Sequence, residues 1–191
     1  MLTNILEMVQ KNLGYPALQK VDPNTQLINE TDTAEEKFSQ AALPAVLTGL
    51  YKFAQSDEGA KEILESDNST NWMDKIFYDK KEDVIQAVSS YAAQSQESTV
   101  IKMNIIAKES VKITKEHLPA NADIKEVKQI FINQRNHILL YLLPSLKMGE
   151  YLQDETLDDS TNKMEGPISS LIQSIGSAFS NPVIEADIKN K

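Results

Sequence analysis

The chain has 191 residues, of which 41% are hydrophobic and 25% charged, a composition typical of one globular domain or two small ones. Its net charge is −9 and its 19 basic residues stand singly or in pairs, which disfavours nucleic acid and anionic membrane surfaces as partners. Cysteine is absent, which excludes disulfides, thiolate catalysis and cysteine-ligated metal ions. The N-terminal region lacks the basic stretch that opens a signal peptide, so we expect a cytoplasmic protein.

Helical periodicity describes the first quarter of the chain. A first helix is predicted to end before Gly14, because glycine suits the left-handed position that follows a helix. Thr33 and Glu36 have the spacing of a capping box and predict the start of a second helix. Pro44 lies inside that helix and should kink or interrupt it. The apolar stripe of the first helix consists of Leu2, Ile5, Leu6, Val9 and Leu13.

Further helical segments follow, each separated from the next by a polar or proline-containing break. They lie at about Asp57 to Ser66, at Trp72 to Phe77, over Val84 to Ala92 and over Met103 to Ile113. The stretch from Pro119 to Ala122 ends the last of them. No segment shows the alternation of apolar and polar residues that is typical of a strand, so the sequence predicts an all-α fold.

Residues 124–149 combine two hydrophobic patterns. The first half is amphipathic, with apolar residues on one face and charged residues on the other. From Ile138 to Leu146 the apolar residues run all the way round, as in a helix that is buried on every side. This run is much shorter than the roughly 20 residues of a membrane span. We therefore predict a compact multi-helix bundle, with Pro-kinked helices around a central buried helix at about 124–148 and no membrane span.

Two segments share the pattern L-P-(small)-(aliphatic)-x-x-G-x-Y. They are Leu43 to Tyr51 and Leu143 to Tyr151. One interpretation is a duplicated helical unit, in which two Pro-kinked helices face each other across a pocket. The other is chance similarity between apolar helices that both contain proline and glycine.

The chain becomes acidic after Gly149. From Glu150 onward there are eight acidic and three basic residues. We predict a helical domain at 1–152, followed at 153–191 by an acidic linker and an amphipathic helix that docks on the domain or on a partner subunit. The polar face of this helix carries no lysine or arginine, which disfavours a membrane-surface role. The predicted docking residues are Ile168, Leu171, Ile172, Ile175 and Phe179.

Several short segments occur in the order found in the YidB-like bacterial family of unknown function, which the chain resembles over about residues 38–152. They are the L-P-x-x-L helix from Leu43 to Leu47, the G-A-x-x-I-L segment from Gly59 to Leu64, the Ile76-Phe77 turn, the helix pair from Val84 to Val111, and the L-P-x-L end from Leu143 to Leu146. Two positions depart from the pattern: Tyr78 stands where a glycine is expected, and the turn at 95–98 has no glycine. The resemblance implies a compact helical domain and supplies no activity.

The densest polar cluster beside apolar surface runs from Asn133 to His137. Arg135, the only arginine of the chain, would be a bidentate clamp for a carboxylate or phosphate if it were buried, with His137 as an acid–base neighbour. Alternatively these side chains face solvent, or Gln134 and Arg135 satisfy the buried backbone ends of neighbouring helices. His117, at a helix C-terminus, is interpreted as structural.

The sequence contains no recognisable metal, cofactor or catalytic motif. The two histidines lack the spacing of a zinc site, and residues 154–159 lack that of a calcium loop. We therefore expect a non-catalytic protein without a cofactor, which acts by protein–protein contact or self-association.

Two further functions remain open. One is the binding of a small amphipathic ligand between the Pro-kinked helices, with Arg135 or His137 contacting its polar head group. The other is a hydrolase that uses the same two residues. The predicted ligand or partner surface consists of Tyr51, Asn133, Arg135, His137 and Tyr141.

Overall fold

A computed structural model describes residues 4–21 and 31–157. Within these two ranges the chain is helical and has no strand, which confirms the all-α prediction. None of the helices in the described ranges is both long and apolar enough to cross a membrane. The helices are α1 (Ile5–Leu13), α2 (Ala34–Ala54), α3 (Asp57–Glu65), α4 (Trp72–Phe77), α5 (Lys81–Ala92), α6 (Gln96–Glu116), α7 (Ile124–Leu139) and α8 (Met148–Tyr151). Short 3-10 helices occupy Tyr78–Lys80, Pro144–Leu146 and Glu155–Leu157.

The helix ends follow the local signals in the sequence. Gly14 has a φ of 71° and ends α1 in the left-handed conformation. Thr33 and Glu36 form the predicted capping box at the start of α2, in which each side chain accepts a hydrogen bond from the other residue's backbone N–H. Asp123 and Glu126 form a second capping box at the start of α7. These ends depend on residues within one turn of each other, which is why they are readable from the sequence.

The central helix of the bundle is α2. Thirteen of its 21 residues are buried, against five of the 16 in α7. All ten residues from Ala41 to Leu50 are buried, and the helix packs against α1, α3, α4, α5, α6 and α7. The prediction of a central helix at about 124–148 is therefore wrong in its location, although the bundle itself is confirmed.

The apolar run after Ile138 is buried without being a helix. Helix α7 ends at Leu139, and Leu143 is extended, with φ −73° and ψ 123°. Pro144 disfavours the helical conformation for Leu143 and begins a 3-10 turn. The Leu140 carbonyl accepts a hydrogen bond from the Val21 N–H at 2.9 Å, so this segment lies against the chain that follows α1.

Pro44, in contrast, lies inside α2, which continues to Ala54. The glycine of this segment does not end the helix: Gly49 stands where an added Cβ would lie 2.8 Å from two ring carbons of Phe77. It therefore permits close packing between α2 and α4. Only one of the two Leu-Pro segments lies in a proline-containing helix, so the prediction of two facing Pro-kinked helices is wrong.

Two non-glycine residues take a left-handed φ near positions where the YidB-like pattern has glycine. Tyr78 has φ 45° and ψ −117°, and Ala93, which ends α5 just before the turn at 95–98, has φ 52° and ψ 42°. Left-handed backbone costs an L-residue about 1–2 kcal/mol relative to glycine. Glycine adopts a positive φ of this kind more readily than other residues, but Ala93 lies outside the turn at 95–98.

The described chain ends in contact with the bundle. Asp154 forms an ion pair with Lys52 at the end of α2, with 2.9 Å between Nζ and Oδ2. Leu157 is fully buried. Residues 153–157 therefore pack as part of the helical domain. The predicted docking residues from Ile168 to Phe179 lie outside the described residues.

Candidate functional site

Helical geometry distributes the polar cluster of α7 over different faces. Gln134 is buried and its Oε1 accepts a hydrogen bond from the Ile5 N–H at 2.9 Å. Ile5 is the first residue of α1, where backbone donors have no partner within the helix. Gln134 therefore satisfies a helix end, which is one of the alternatives that the sequence allowed.

Arg135 and Asn133 make separate local contacts. A guanidinium nitrogen of Arg135 donates to the Thr156 carbonyl at 3.2 Å, which fastens the end of the described chain to α7. Asn133 is exposed and its Oδ1 accepts a hydrogen bond from Gln129 Nε2 at 2.8 Å, within the same helix. Neither residue lines the groove that contains His137.

A groove of about 460 Å³ lies between α1 and the end of α7. Its apolar lining comes from Met8, Leu140 and Tyr141, which are half-buried. Its charged lining comes from exposed residues of α1 and of the segment that follows it. The full lining is Asn4, Glu7, Met8, Lys11, Lys20, His137, Leu140 and Tyr141.

Backbone contacts hold the walls of this groove together. Besides the bond between the Val21 N–H and the Leu140 carbonyl, Gln40 Nε2 donates to the Tyr141 carbonyl at 3.1 Å and to the Gln19 carbonyl at 3.0 Å. The Gln40 side chain thus joins α2, the segment after α1 and the turn after α7.

The charge of the groove is opposite to that of the whole chain. Lys11 and Lys20 stand against Glu7, which leaves one net positive charge with His137 neutral, while the chain carries −9. Exposed cations beside half-buried apolar side chains suit an occupant that is apolar on one side and acidic on the other.

The predicted surface is therefore only partly assembled. His137 and Tyr141 line one groove. Tyr51 lies in the last turn of α2, outside that groove, where its carbonyl accepts a hydrogen bond from Gln55. The predicted cleft between two Pro-kinked helices near Tyr51 and Tyr141, with Arg135 or His137 at the polar head group, is thus wrong, because Pro144 begins a 3-10 turn. Arg135 binds Thr156, whereas His137 lines the groove with Tyr141.

The contribution of α1 to the groove was not predictable from the sequence. Glu7 and Lys11 are four residues apart on the polar face of α1, which marks that face as exposed but does not say what lies beside it. Met8 and Lys20 carry no local signal of a site. Their proximity to Tyr141 depends on how the helices pack.

A second, larger concavity of about 650 Å³ lies beside α3 and α4, and all its lining residues are polar or charged. Lys75 pairs with Glu62 at 2.5 Å. Hydrogen bonds from Ser69 lower the pKa of the exposed Asp67 carboxyl, as in a solvated polar turn. None of its lining residues has an apolar side chain that could anchor an occupant, so it is a poor candidate for a binding site.

No catalytic constellation is apparent in residues 4–21 and 31–157. In those ranges no group of three or more histidines, aspartates and glutamates could hold a metal ion. Burial raises the pKa of the Tyr15, Tyr91 and Tyr151 hydroxyls, which is the direction opposite to nucleophile activation. The ring Nδ1 of His117 lies 2.8 Å from the Ile113 carbonyl at the end of α6, a contact within its own helix.

Comparisons with known proteins identify no relative: no family model, no curated protein and no solved structure matches the chain. The resemblance to the YidB-like family therefore stays a prediction. The inference of function rests on the geometry of the described residues.

Proposed function

We propose that this protein is a non-catalytic binding protein that acts by protein–protein contact, and that the groove between α1 and α7 receives a short amphipathic segment of polypeptide. The observation that carries the proposal is the groove itself. It combines half-buried Met8, Leu140 and Tyr141 with exposed Lys11 and Lys20. An amphipathic helix binds such a groove by inserting side chains spaced at i, i+3, i+4 and i+7.

The other exposed apolar residues support this choice less well. Ile101 and Ile105 lie one turn apart on α6 and are 57% and 46% exposed. They line neither concavity described above. A few exposed apolar residues are common on monomeric proteins. Ile101 on α6 therefore serves as a control position in the paired cysteine experiment.

In-cell photocrosslinking tests the proposal. A photoreactive residue in place of Lys11 should give a discrete polypeptide adduct, whereas the same residue in place of Lys61 should not. Both lysines are exposed and helical, but Lys61 lines the polar concavity. Adducts of equal yield at the two positions, or none at either, would contradict the proposal.

A small amphipathic ligand is the second candidate for the same groove. Lys11 and Lys20 can contact an acidic head group while Met8 and Tyr141 cover an apolar tail. Native mass spectrometry of protein purified from cells should then show a bound mass that Lys11→Glu/Lys20→Glu removes and Lys61→Glu retains. A bare polypeptide mass would contradict this candidate.

The cellular setting belongs to the same proposal. A cytoplasmic location is inferred from the N-terminal sequence, and a bacterial source is implied by the YidB-like resemblance. The exclusion of nucleic acid is inferred from the acidic net charge and the dispersed cationic residues. Fractionation of cells that express the full chain checks the location. Recovery in a membrane fraction that withstands high salt would contradict it.

A further inference from the structure

The last described residues lie close to the groove, because they contact α7, which also lines the groove. Thr156 is bound to Arg135, and Arg135 precedes the groove residue His137 by two positions. Residues two apart on a helix are separated by about 200° and about 3 Å along the axis. The chain therefore leaves the bundle on the side of α7 opposite the groove, at nearly the same height.

The chain that continues from this point is long enough to reach the groove. Ten residues, 158–167, separate Leu157 from Ile168. Ten extended residues span at most about 33–36 Å, whereas half the circumference of a helix of about 10–12 Å diameter is under about 20 Å. The segment that begins at Ile168 can thus lie against the groove, and a linker this short keeps it near at an effective concentration of about millimolar.

The chemistry of this segment matches the groove. Ile168, Leu171, Ile172 and Ile175 have the i, i+3, i+4, i+7 spacing of helix-in-groove anchors, and no charged residue occurs from Ile168 to Phe179. The uncharged face suits Met8, Leu140 and Tyr141 of the groove.

The charges of the linker match the rim of the groove. Residues 158–167 contain Asp158, Asp159 and Glu165 against Lys163, a net charge of −2. Lys11 and Lys20 give the groove a net positive charge, so the linker and the groove carry opposite net charges. Complementary charge of this kind favours the correct register of docking.

We propose that the groove between α1 and α7 is covered by residues 168–179 of the same chain, so that a binding partner must displace this segment. The inference rests on the proposed function, because it names the first occupant of the same groove. Its consequence is regulation: a partner competes with a tethered segment, and a chain with a weakened segment binds more readily.

The absence of cysteine makes the placement testable by paired cysteine variants of the full chain. Ser174→Cys is combined with Lys11→Cys in the groove, with Lys61→Cys in the polar concavity, or with Ile101→Cys on α6. With a short bismaleimide, the groove pair should form an intramolecular link about tenfold faster than either other pair. Adding Leu171→Ser/Ile175→Ser should reduce that rate to the rate of the Lys61→Cys pair.

Other outcomes would overturn the inference in distinguishable ways. A faster link to Ile101→Cys would place the segment on α6. Covalent dimers would place it on a second copy, and equal rates at all three positions would show that it does not dock. In each of these cases the photocrosslinking of Lys11 can still show a different partner in the groove, so the proposed function is tested separately.

Discussion

Two segments with the same residue pattern have different structures in this molecule. In the segment from Leu43 to Tyr51, proline lies in the middle of a buried 21-residue helix. In the segment from Leu143 to Tyr151, proline begins a 3-10 turn after α7 has ended. A shared nine-residue pattern with four identical residues therefore does not specify a conformation, since the surrounding chain decides whether the helix continues through the proline.

The energetic difference lies in what surrounds each proline. A proline inside a helix costs about 3 kcal/mol. In α2 this cost is offset by ten preceding helical residues with a capping box, and by complete burial of Leu43 and Leu47, each worth about 1.5–3 kcal/mol. After α7, the Leu140 and Tyr141 carbonyls bind Val21 and Gln40, so these acceptors are already satisfied without a helix.

The ends of the two segments are joined. Lys52 follows Tyr51, and it pairs with Asp154, which lies three residues after Tyr151. The Lys52 side chain is 39% exposed and that of Asp154 is 19% exposed. The ion pair therefore connects the residues that follow the two segments, although the segments themselves differ in conformation.

The largest effect is expected from Gly49→Val, which tests whether glycine in the first segment serves packing. A Cβ at this position would lie 2.8 Å from the ring carbons of Phe77, and that ring is buried. Overpacking should lower the free energy of unfolding by about 3 kcal/mol, measured by urea denaturation. Combining it with Phe77→Ala should cost less than the sum of the two single changes. Simple additivity would contradict the close contact.

Replacing each of the two prolines by alanine should change the free energy of unfolding in opposite directions. Pro44→Ala should raise the free energy of unfolding by about 1 kcal/mol, because the gain in helix propensity exceeds the loss of two buried ring carbons. Pro144→Ala should lower it by about 0.4–1 kcal/mol, since the half-buried proline favours the turn by restricting the unfolded chain. Urea denaturation of both variants checks this. A change of the free energy of unfolding in the same direction for both variants would contradict the different roles of the two prolines.

The smallest effect concerns the ion pair between the segments. Asp154→Asn should lower the free energy of unfolding by under about 1 kcal/mol near pH 7. Burial raises the pKa of Asp154, but hydrogen bonds from Thr156 and Lys52 outweigh it, so the net pKa lies below its ordinary 3.8. Stability from this pair is therefore present above that ordinary value and is lost as the pH falls below it.

Urea denaturation of the parent chain and the Asp154→Asn variant over a pH series measures the stability that this ion pair contributes. The difference between the two should shrink as the pH falls below about 3.8, the ordinary pKa of the group. Lys61, which lies 3.9 Å from Glu65 on the exposed face of α3, offers a matched control in Lys61→Met. A difference at Asp154 that does not change with pH would contradict the ionic origin of the contact.

The helices were largely predictable, and the candidate site was predictable in part. Thr33, Glu36 and Gly14 predicted helix ends through contacts within one turn. His137 and Tyr141 were found because they lie on one helix and the turn after it. The other side of the groove was not predictable, because Met8 and Lys11 come from a helix more than a hundred residues away.

The all-α class, the positions of most helices and the residue types available for binding can be read directly from the amino-acid sequence. These properties follow from periodicity and capping, which act over a few residues. Only the tertiary structure decided that α2 is the central helix, that Pro144 ends a helix while Pro44 does not, and that α1 and α7 enclose a groove. The physical reason is that burial is a property of the whole chain: an apolar run is buried by whatever packs on it, and its own residues do not specify those neighbours.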